Sequence, residues 1–252
     1  MEERYVLELV NNGKRLDGRK LDEFRDVEIK VNPINTAEGS AIVKIGNTEV
    51  VAGVKMGIGT PFPDKPKDGI LIVNSEFTPM ASPDFESGPP SENAVELSRI
   101  VDRGIRESGA IELDKLCLVE GEKVWSTFVD IHIINDQGNL VDVAALASVV
   151  ALNNAQIPRL EDDKIVRGEY QKRLPVVFKP ITITVGKVGN NFIVDPELKE
   201  EKIIDTKLSV AVRDDDKICA LQKQGSKEFD FSDIGKILDI VIDKSKELRK
   251  LI

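Results

Sequence analysis

The chain has 252 residues, in which 35 Lys and Arg residues stand against 44 Asp and Glu residues, so the formal net charge is −9. Hydrophobic residues at 41% and charged residues at 31% are typical of a globular protein and exclude wholesale disorder. The acidic balance argues against a free-standing protein that grips nucleic acid by bulk positive charge, although it leaves room for a local basic patch or a basic partner.

Apolar runs and turn residues predict a helical lead-in within residues 1–25 and then a first half rich in strands. Gly46-Asn47 between two apolar runs is a strong hairpin signal, because both residues tolerate positive φ. A proline-rich loop leads into a helix from about Pro90 to Gly109, since proline suits a first helical turn and glycine a helix end. Strands are predicted near residues 27–31, 40–45, 49–54, 70–73, 116–119 and 124–134.

A small-residue helix and a second strand-rich half follow. Residues 140–154 are apolar on all sides, which is typical of a helix buried between sheets. Residues 157–180 suggest a polar connection, and beyond it the pattern predicts a last helix from about Phe231 and strands near residues 181–185, 192–194, 208–212 and 217–221. Antiparallel-type strands followed by a helix in each half predict an α+β fold. We expect a single domain over residues 1–252, in which two similar halves, about 25–156 and 181–252, share one core.

Cysteine and histidine are too scarce for most metal and nucleophile chemistry. Cys117 and Cys219 each lie in an apolar run, which predicts buried free thiols and disfavours a disulfide framework or a thiolate metal site. His132 is the single histidine, and it sits in a strand-like run without a second histidine for a zinc site. The charged N-terminus leads into no apolar segment long enough for a signal peptide or a membrane span, so we expect a cytoplasmic protein.

Three arginines on the helix after Pro90 form the most informative cluster. The spacings between Arg99, Arg103 and Arg106 place all three in one narrow stripe on the helix surface. One interpretation is an ordinary solvated face, because Glu96, Asp102 and Glu107 lie at pairing distance. The other is a phosphate-binding surface, because guanidinium groups offer forked donors to phosphate oxygens. The opposite face, with Ala94, Leu97, Val101 and Ile105, is expected to pack on the core.

Acidic residues near position 200 raise the alternative of a nuclease. Glu197, Glu200, Glu201 and Asp205, with Asp195 nearby, could hold Mg²⁺ beside a phosphate. Lysines at positions 199, 202 and 207 are interleaved with these acids, which favours a charged surface segment.

The turn 136–139 precedes a helix N-terminus, a natural position for a phosphate. No arginine occurs between Arg106 and Arg159, however, and Asp142 would place a negative charge in the first helical turn. The turn is therefore in the right position for a phosphate but has the wrong chemistry.

Taken together, these segments resemble the RNase PH family over nearly the whole chain and in order. The likeness is carried by Arg15-Leu16-Asp17-Gly18-Arg19, by Gly46-Asn47-Thr48, by the loop leading to the arginine helix and by residues 151–158. Within the family, residues 58–64 and 81–90 are similar to the non-catalytic RNase PH-like subunits of archaeal exosomes rather than to their catalytic paralogues. The resemblance implies a fold of two similar β-α halves, of the kind found in ribosomal protein S5 domain 2.

The same resemblance implies that this chain lacks the catalytic groups of the family. Catalytic members degrade RNA from the 3′ end by phosphorolysis, with a phosphate loop that carries an arginine and with two acids spaced by six residues. In this chain the place of the loop arginine falls on Val141, and the acids fall on Glu201 and Lys207. A phosphate loop without its cation and an acidic pair with one lysine should not support phosphorolysis. No catalytic residue, metal or cofactor is therefore expected.

The resemblance also implies partners. The chain would pair with a catalytic RNase PH-like paralogue, and three such heterodimers would close into a hexameric ring beneath a cap of RNA-binding subunits. Arg99, Arg103 and Arg106 would then grip the backbone of single-stranded RNA beside the partner's active site. Two alternatives remain at this point. The chain could itself be an active phosphorolytic exoribonuclease using Glu201 with Glu200 and Asp205, or it could be an autonomous RNA-binding module, which the acidic balance disfavours.

Overall fold

Groups of strands are separated by single α-helices along residues 2–252, the part of the chain that a computed structural model describes. The α-helices within this part are α1 (Glu2–Asn11), α2 (Glu92–Glu107), α3 (Leu140–Asn153), α4 (Leu198–Glu201) and α5 (Phe231–Arg249), and a short 3-10 helix covers Leu113–Leu116. The strands are β1 (Val27–Val31), β2 (Gly39–Ile45), β3 (Thr48–Gly59), β4 (Ile70–Glu76), β5 (Cys117–Val119), β6 (Lys123–Asn135), β7 (Gln156–Glu161), β8 (Lys164–Arg173), β9 (Ile181–Val188), β10 (Asn191–Val194), β11 (Thr206–Val212) and β12 (Ile218–Gln224).

Two sheets carry the architecture, one in each half of the chain. The first has the strand order β1-β2-β3-β6-β4, with β5 paired to β6, and the second has the order β10-β9-β11-β12. The predicted hairpin at Gly46-Asn47 is confirmed, because β2 and β3 pair through Ile45 and Thr48, and Gly46 has a φ of 58°. The prediction of an α+β fold is also confirmed.

The small-residue helix α3 lies between the sheets, as its sequence predicts. It packs against β2 and β3 of the first sheet and against β9 of the second, and Ala144, Ala147 and Ala151 are fully buried. The approach to β2 is close: a Cβ on Gly39 would lie 2.4 Å from the carbonyl oxygen of Ala151. Alanines on the helix and a glycine on the strand therefore allow the two backbones to meet, and the hydrophobic core forms around this contact.

Two features differ from the sequence-based expectations. The strand β4 pairs with β6 in parallel, so the chain crosses over through α2 before it returns to the first sheet. The segment predicted as a polar connection contains the antiparallel ribbon β7–β8 instead. Its strands are mostly exposed and polar, which hides the apolar alternation that marks a strand in a sequence. No helix within residues 2–252 is both long enough and apolar enough to cross a membrane.

The cysteines are also less enclosed than predicted. Cys117 and Cys219 are free thiols, but both are half-buried. Cys117 and Cys219 lie on β5 and β12, and neither strand is covered on all sides. Burial raises the pKa of the Cys219 thiol, which points its Sγ at the carbonyl oxygen of Ala211 at 3.2 Å.

Candidate nucleic-acid interface

The helix α2 begins and packs as its sequence predicts. Ser91 caps it, because its hydroxyl oxygen accepts a hydrogen bond from the Ala94 backbone N–H at 3.3 Å. The expected core-facing residues are buried; they are Ala94, Leu97, Val101 and Ile105. The helix is therefore held on its apolar face, and the opposite face is left to solvent.

Arg99, Arg103 and Arg106 are all exposed on that outer face, and we call these three residues the basic stripe. Arg99 forms no ion pair or hydrogen bond with any of the described residues. Arg103 donates from Nη1 to the side-chain oxygen of Gln222, on β12, at 3.0 Å. Neither arginine has its charge compensated by a carboxylate, so both keep donors available for an anion.

Arg106 differs from the other two because its guanidinium group is already occupied. Its Nε and Nη2 donate to the carboxylate of Asp102 at 3.0 and 2.7 Å, and Nη2 also donates to the carbonyl oxygen of Leu71 at 2.9 Å. These hydrogen bonds with Asp102 raise the pKa of Arg106. Of the three pairings that a solvated face would use, the Asp102 pair forms, whereas Glu96 and Glu107 make no ion pair with the stripe within the described residues.

Two depressions flank Arg99 and Arg103. The larger, of about 540 Å³, runs beside α2 towards β12. It is lined by both arginines together with Pro90, Glu92, Val95, Glu96, Ile100 and Gln222. The smaller, of about 250 Å³, lies over β4 and is lined by the same two arginines with Val73, Ser98 and Asp102. The arginines therefore stand on a ridge that a chain-like anion could cross.

A separate cleft of about 340 Å³ contains the positions at which the resemblance places the family's catalytic groups. Val141, Glu201 and Lys207 all line it, beside Phe77, Phe85 and Asp136. Lys207 donates from Nζ to a carboxylate oxygen of Glu201 at 3.1 Å. Burial and the nearby charge of Glu201 raise the pKa of Asp136. The cleft thus holds an internal ion pair and an apolar side chain where a phosphate and a metal would need free charges.

The turn before α3 is approached by an arginine that the sequence analysis did not identify. Arg25, from the loop before β1, donates to the carbonyl oxygens of Gln137 at 2.9 Å and Gly138 at 3.2 Å. Its other donors are bound by Asp195, at 2.7 Å from Nη2. A cation therefore does reach this turn, contrary to the sequence-based prediction, but it serves to hold the turn in place. Nothing in the local sequence signals a contact between positions more than a hundred residues apart.

The acids near position 200 do not converge on one point. The buried side chain of Glu200 pairs with Arg15, whose Nε lies 3.0 Å from its carboxylate. Asp205 pairs with Lys227 at 2.7 Å, and Glu201 with Lys207, as described above. Within residues 2–252 no three Asp, Glu, His or Cys side chains are arranged to hold a metal ion. The motif from Arg15 to Arg19 accordingly fastens the N-terminal loop to the second half.

Asp195 forms most of the hydrogen bonds that join the N-terminal loop to the second half. Its carboxylate accepts hydrogen bonds from Arg19 at 3.0 Å, from Arg25 and from the side-chain amide of Asn139 at 2.9 Å. Burial alone would raise the pKa of Asp195, but the hydrogen bonds and charge of Arg25 hold that pKa below its usual value. Both oxygens of this carboxylate are therefore used in structural hydrogen bonds.

Two family models match the chain. The model described as "3′ exoribonuclease family, domain 1" matches residues 23–158, and the one described as "3′ exoribonuclease family, domain 2" matches residues 180–247. Together the two models span most of the chain, with the exposed ribbon β7–β8 largely between them.

Individual relatives are similar over nearly their full length. An exosome complex component Rrp42 from Methanothermobacter thermautotrophicus is 48% identical over 246 residues, which cover 96% of this chain and 91% of the relative. The protein of the same name from Archaeoglobus fulgidus is also 48% identical, over 98% of this chain and 93% of the relative. Among solved structures, an Archaeoglobus fulgidus exosome with RNA bound to the active site contains a chain that superimposes with a TM-score of 0.93 at 47% identity, covering 99% of this chain and 96% of that one. A chain of an archaeal exosome core gives a TM-score of 0.89 at 45% identity, covering 99% and 95%.

Proposed function

The chain belongs to the RNase PH family of 3′ exoribonucleases, and we propose that it is the non-catalytic subunit of an archaeal-type exosome that completes the active site of a catalytic paralogue and contacts RNA. Its relatives carry the name of an exosome component, and a structural relative comes from an exosome with RNA bound. The proposal assigns this chain the positioning of RNA during phosphate-dependent 3′–5′ degradation, and it assigns the chemistry to the partner.

The observation that carries the proposal is the ion pair between Glu201 and Lys207, in a cleft that also contains Val141. Phosphorolysis needs cationic groups that bind the attacking phosphate and that stabilise the negative charge developing on the leaving oxygen. Here the lysine is neutralised by the neighbouring acid, and no arginine stands at the loop position. A phosphate entering this cleft would have to break the pair and face the uncompensated carboxylates of Glu201 and Asp136.

We assign the RNA contact to the basic stripe, Arg99, Arg103 and Arg106. The stripe is exposed and lies on a well-packed helix, and its residues Arg99 and Arg103 border two depressions, as a surface that grips a flexible polyanion requires. Contacts of this kind carry affinity without reading sequence, which suits an enzyme that degrades RNA of any sequence.

The proposed assembly has three heterodimers of this chain with its catalytic paralogue, closed into a hexameric ring, with RNA-binding cap subunits on one face. The acidic balance of the chain supports an assembled role, because a lone chain of net charge −9 should bind RNA poorly. We further infer that residues 25–156 and 181–252 form one domain, since α3 packs on strands of both sheets. The complex is proposed to act in the cytoplasm.

The test measures phosphate-dependent release of nucleoside diphosphates from single-stranded RNA. The purified chain alone is expected to show no release, while the reconstituted ring with the catalytic paralogue is active and serves as the positive control. Glu201→Gln in the ring is expected to leave the rate unchanged, because the glutamate has no catalytic task here. Robust release by the lone chain, or loss of ring activity in Glu201→Gln with the ring intact, would show that the chain is itself an enzyme.

A further inference from the structure

The three arginines of the stripe are not equivalent, and the difference is set by their partners. Arg106 is bound by Asp102 through two donors and by a backbone carbonyl, so a phosphate would have to compete with a carboxylate already in place. Arg99 and Arg103 have no such competitor among the described residues, and both line the same two depressions. The anion-binding capacity of the stripe is therefore concentrated in this pair.

Arg103 is oriented by a residue from the other half of the molecule. Gln222 lies on β12, the edge strand of the second sheet, and its side-chain oxygen accepts from Arg103 Nη1 at 3.0 Å. The two residues are 119 positions apart in sequence, and the helix α2 packs against β12. The second half thus supplies one wall of the larger depression and fixes the guanidinium group above it.

The neutral amide suits this task better than an acid would. An amide oxygen restrains one N–H of the guanidinium group and leaves its full positive charge and its remaining donors for a ligand. A carboxylate at the same position would form an ion pair and cancel the charge, as Asp102 does for Arg106. Restraining a long side chain before binding also lowers the entropy that the complex would otherwise lose.

We propose that Gln222 is a positioning residue for RNA, which holds Arg103 so that Arg99 and Arg103 together clamp the phosphate backbone as it crosses α2 from one depression to the other. This inference rests on the proposed function and adds to it a contribution of the second half. The second sheet then takes part in RNA binding through its edge strand, although Lys207 on its strand β11 is held in an ion pair with Glu201.

The experiment uses the ring assembled with the catalytic paralogue and a labelled single-stranded RNA, with binding measured from about 50 to about 200 mM salt. Arg103→Ala is expected to weaken binding about tenfold and to reduce the slope of log K against log salt by about 0.7, the value for one phosphate contact on a single strand. Gln222→Ala is expected to weaken binding about threefold in the parent ring but to add nothing in the Arg103→Ala background, because there is then no guanidinium group to position.

Gln222→Glu separates positioning from a merely structural role. The new carboxylate is expected to pair with Arg103 and reduce the affinity and the salt slope to values near those of Arg103→Ala. Gln156→Glu, on the exposed strand β7, adds the same charge away from α2 and is the matched control. Fully additive effects of Gln222→Ala and Arg103→Ala, or equal effects of Gln222→Glu and Gln156→Glu, would overturn the inference and leave the proposed function standing. If neither Arg99→Ala nor Arg103→Ala weakens binding, the proposed function itself fails.

Discussion

Asp142 is a buried carboxylate in the first turn of α3, and its surroundings disfavour a negative charge. Burial raises its pKa from 3.8 to about 7, and the nearby charge of Asp195 acts in the same direction. One oxygen accepts from the Thr184 backbone N–H at 3.1 Å, whereas the other has no hydrogen-bond partner among the described residues. Asp142 therefore joins α3 to the second sheet most favourably when it is protonated.

This arrangement predicts a specific pH dependence of stability. Because the folded pKa lies above the unfolded one, the folded state binds more protons between pH 3.8 and about 7, and the contribution of Asp142 to stability is lost as the pH rises through that window. Asp142→Asn keeps an acceptor for Thr184 and removes the charge. We expect the free energy of unfolding of the variant to exceed that of the parent by up to about 4 kcal/mol at pH 8 and by less than half of that at pH 5, where the parent is only partway through the window. Denaturant titrations at both values measure this, and equal stabilisation at the two pH values would contradict it.

At the scale of elements, the contact between α3 and β2 depends on Gly39. A methyl group there would lie 2.4 Å from a backbone oxygen and 2.7 Å from the Cα of Ala155, neither of which can rotate away. Gly39→Ala is therefore expected to lower the free energy of unfolding by about 2 kcal/mol or more. Gly53→Ala is the matched control, because a Cβ on this β3 glycine meets nothing within 4 Å. Thermal unfolding of both variants distinguishes them, and a similar small effect at both positions would refute the close contact.

Elements with a strong local signal could be predicted from the sequence. Three elements are predicted by their local sequence pattern alone. They are α3 with its uniformly apolar run, α2 with apolar residues on one face, and the glycine-asparagine turn between β2 and β3. The ribbon β7–β8 and the parallel pairing of β4 could not be predicted in this way. The first has few apolar side chains, and the second depends on where the chain returns after α2.

The candidate site, too, could be predicted only in part from the sequence. The exposure of the basic stripe follows from helical spacing, because its positions lie opposite the buried face of α2. The partners of these arginines cannot be predicted from helical spacing, since Gln222 and Leu71 belong to strands elsewhere in the sequence. The role of Arg25 at the turn before α3 was missed for the same reason. Sequence patterns thus identified which cations are available, while the tertiary contacts decide which of them are already used.

At the scale of the whole molecule, the net charge of −9 conceals an uneven distribution of cations. Arg15, Arg19 and Arg25 are held by Glu200 and Asp195, so these charges join the N-terminal part of the chain to the second half. Lys207 is held by Glu201 within the second half. Arg99 and Arg103 remain available on one helix face. An acidic body with a small basic ridge should gain its RNA affinity within a larger assembly, where a partner's surface completes the path.

The most direct test of this account is kcat/KM for phosphorolysis of single-stranded RNA by the ring in which this chain carries Arg103→Glu. The charge reversal on an exposed residue should not disturb folding or ring assembly, and mass measurement of the complex checks this. We expect kcat/KM to fall by at least about tenfold, with the largest loss at low salt, where the repulsion between the new carboxylate and the RNA backbone is least screened. An intact ring that degrades RNA with unaltered kcat/KM would contradict the central claim that this subunit grips the RNA for its partner.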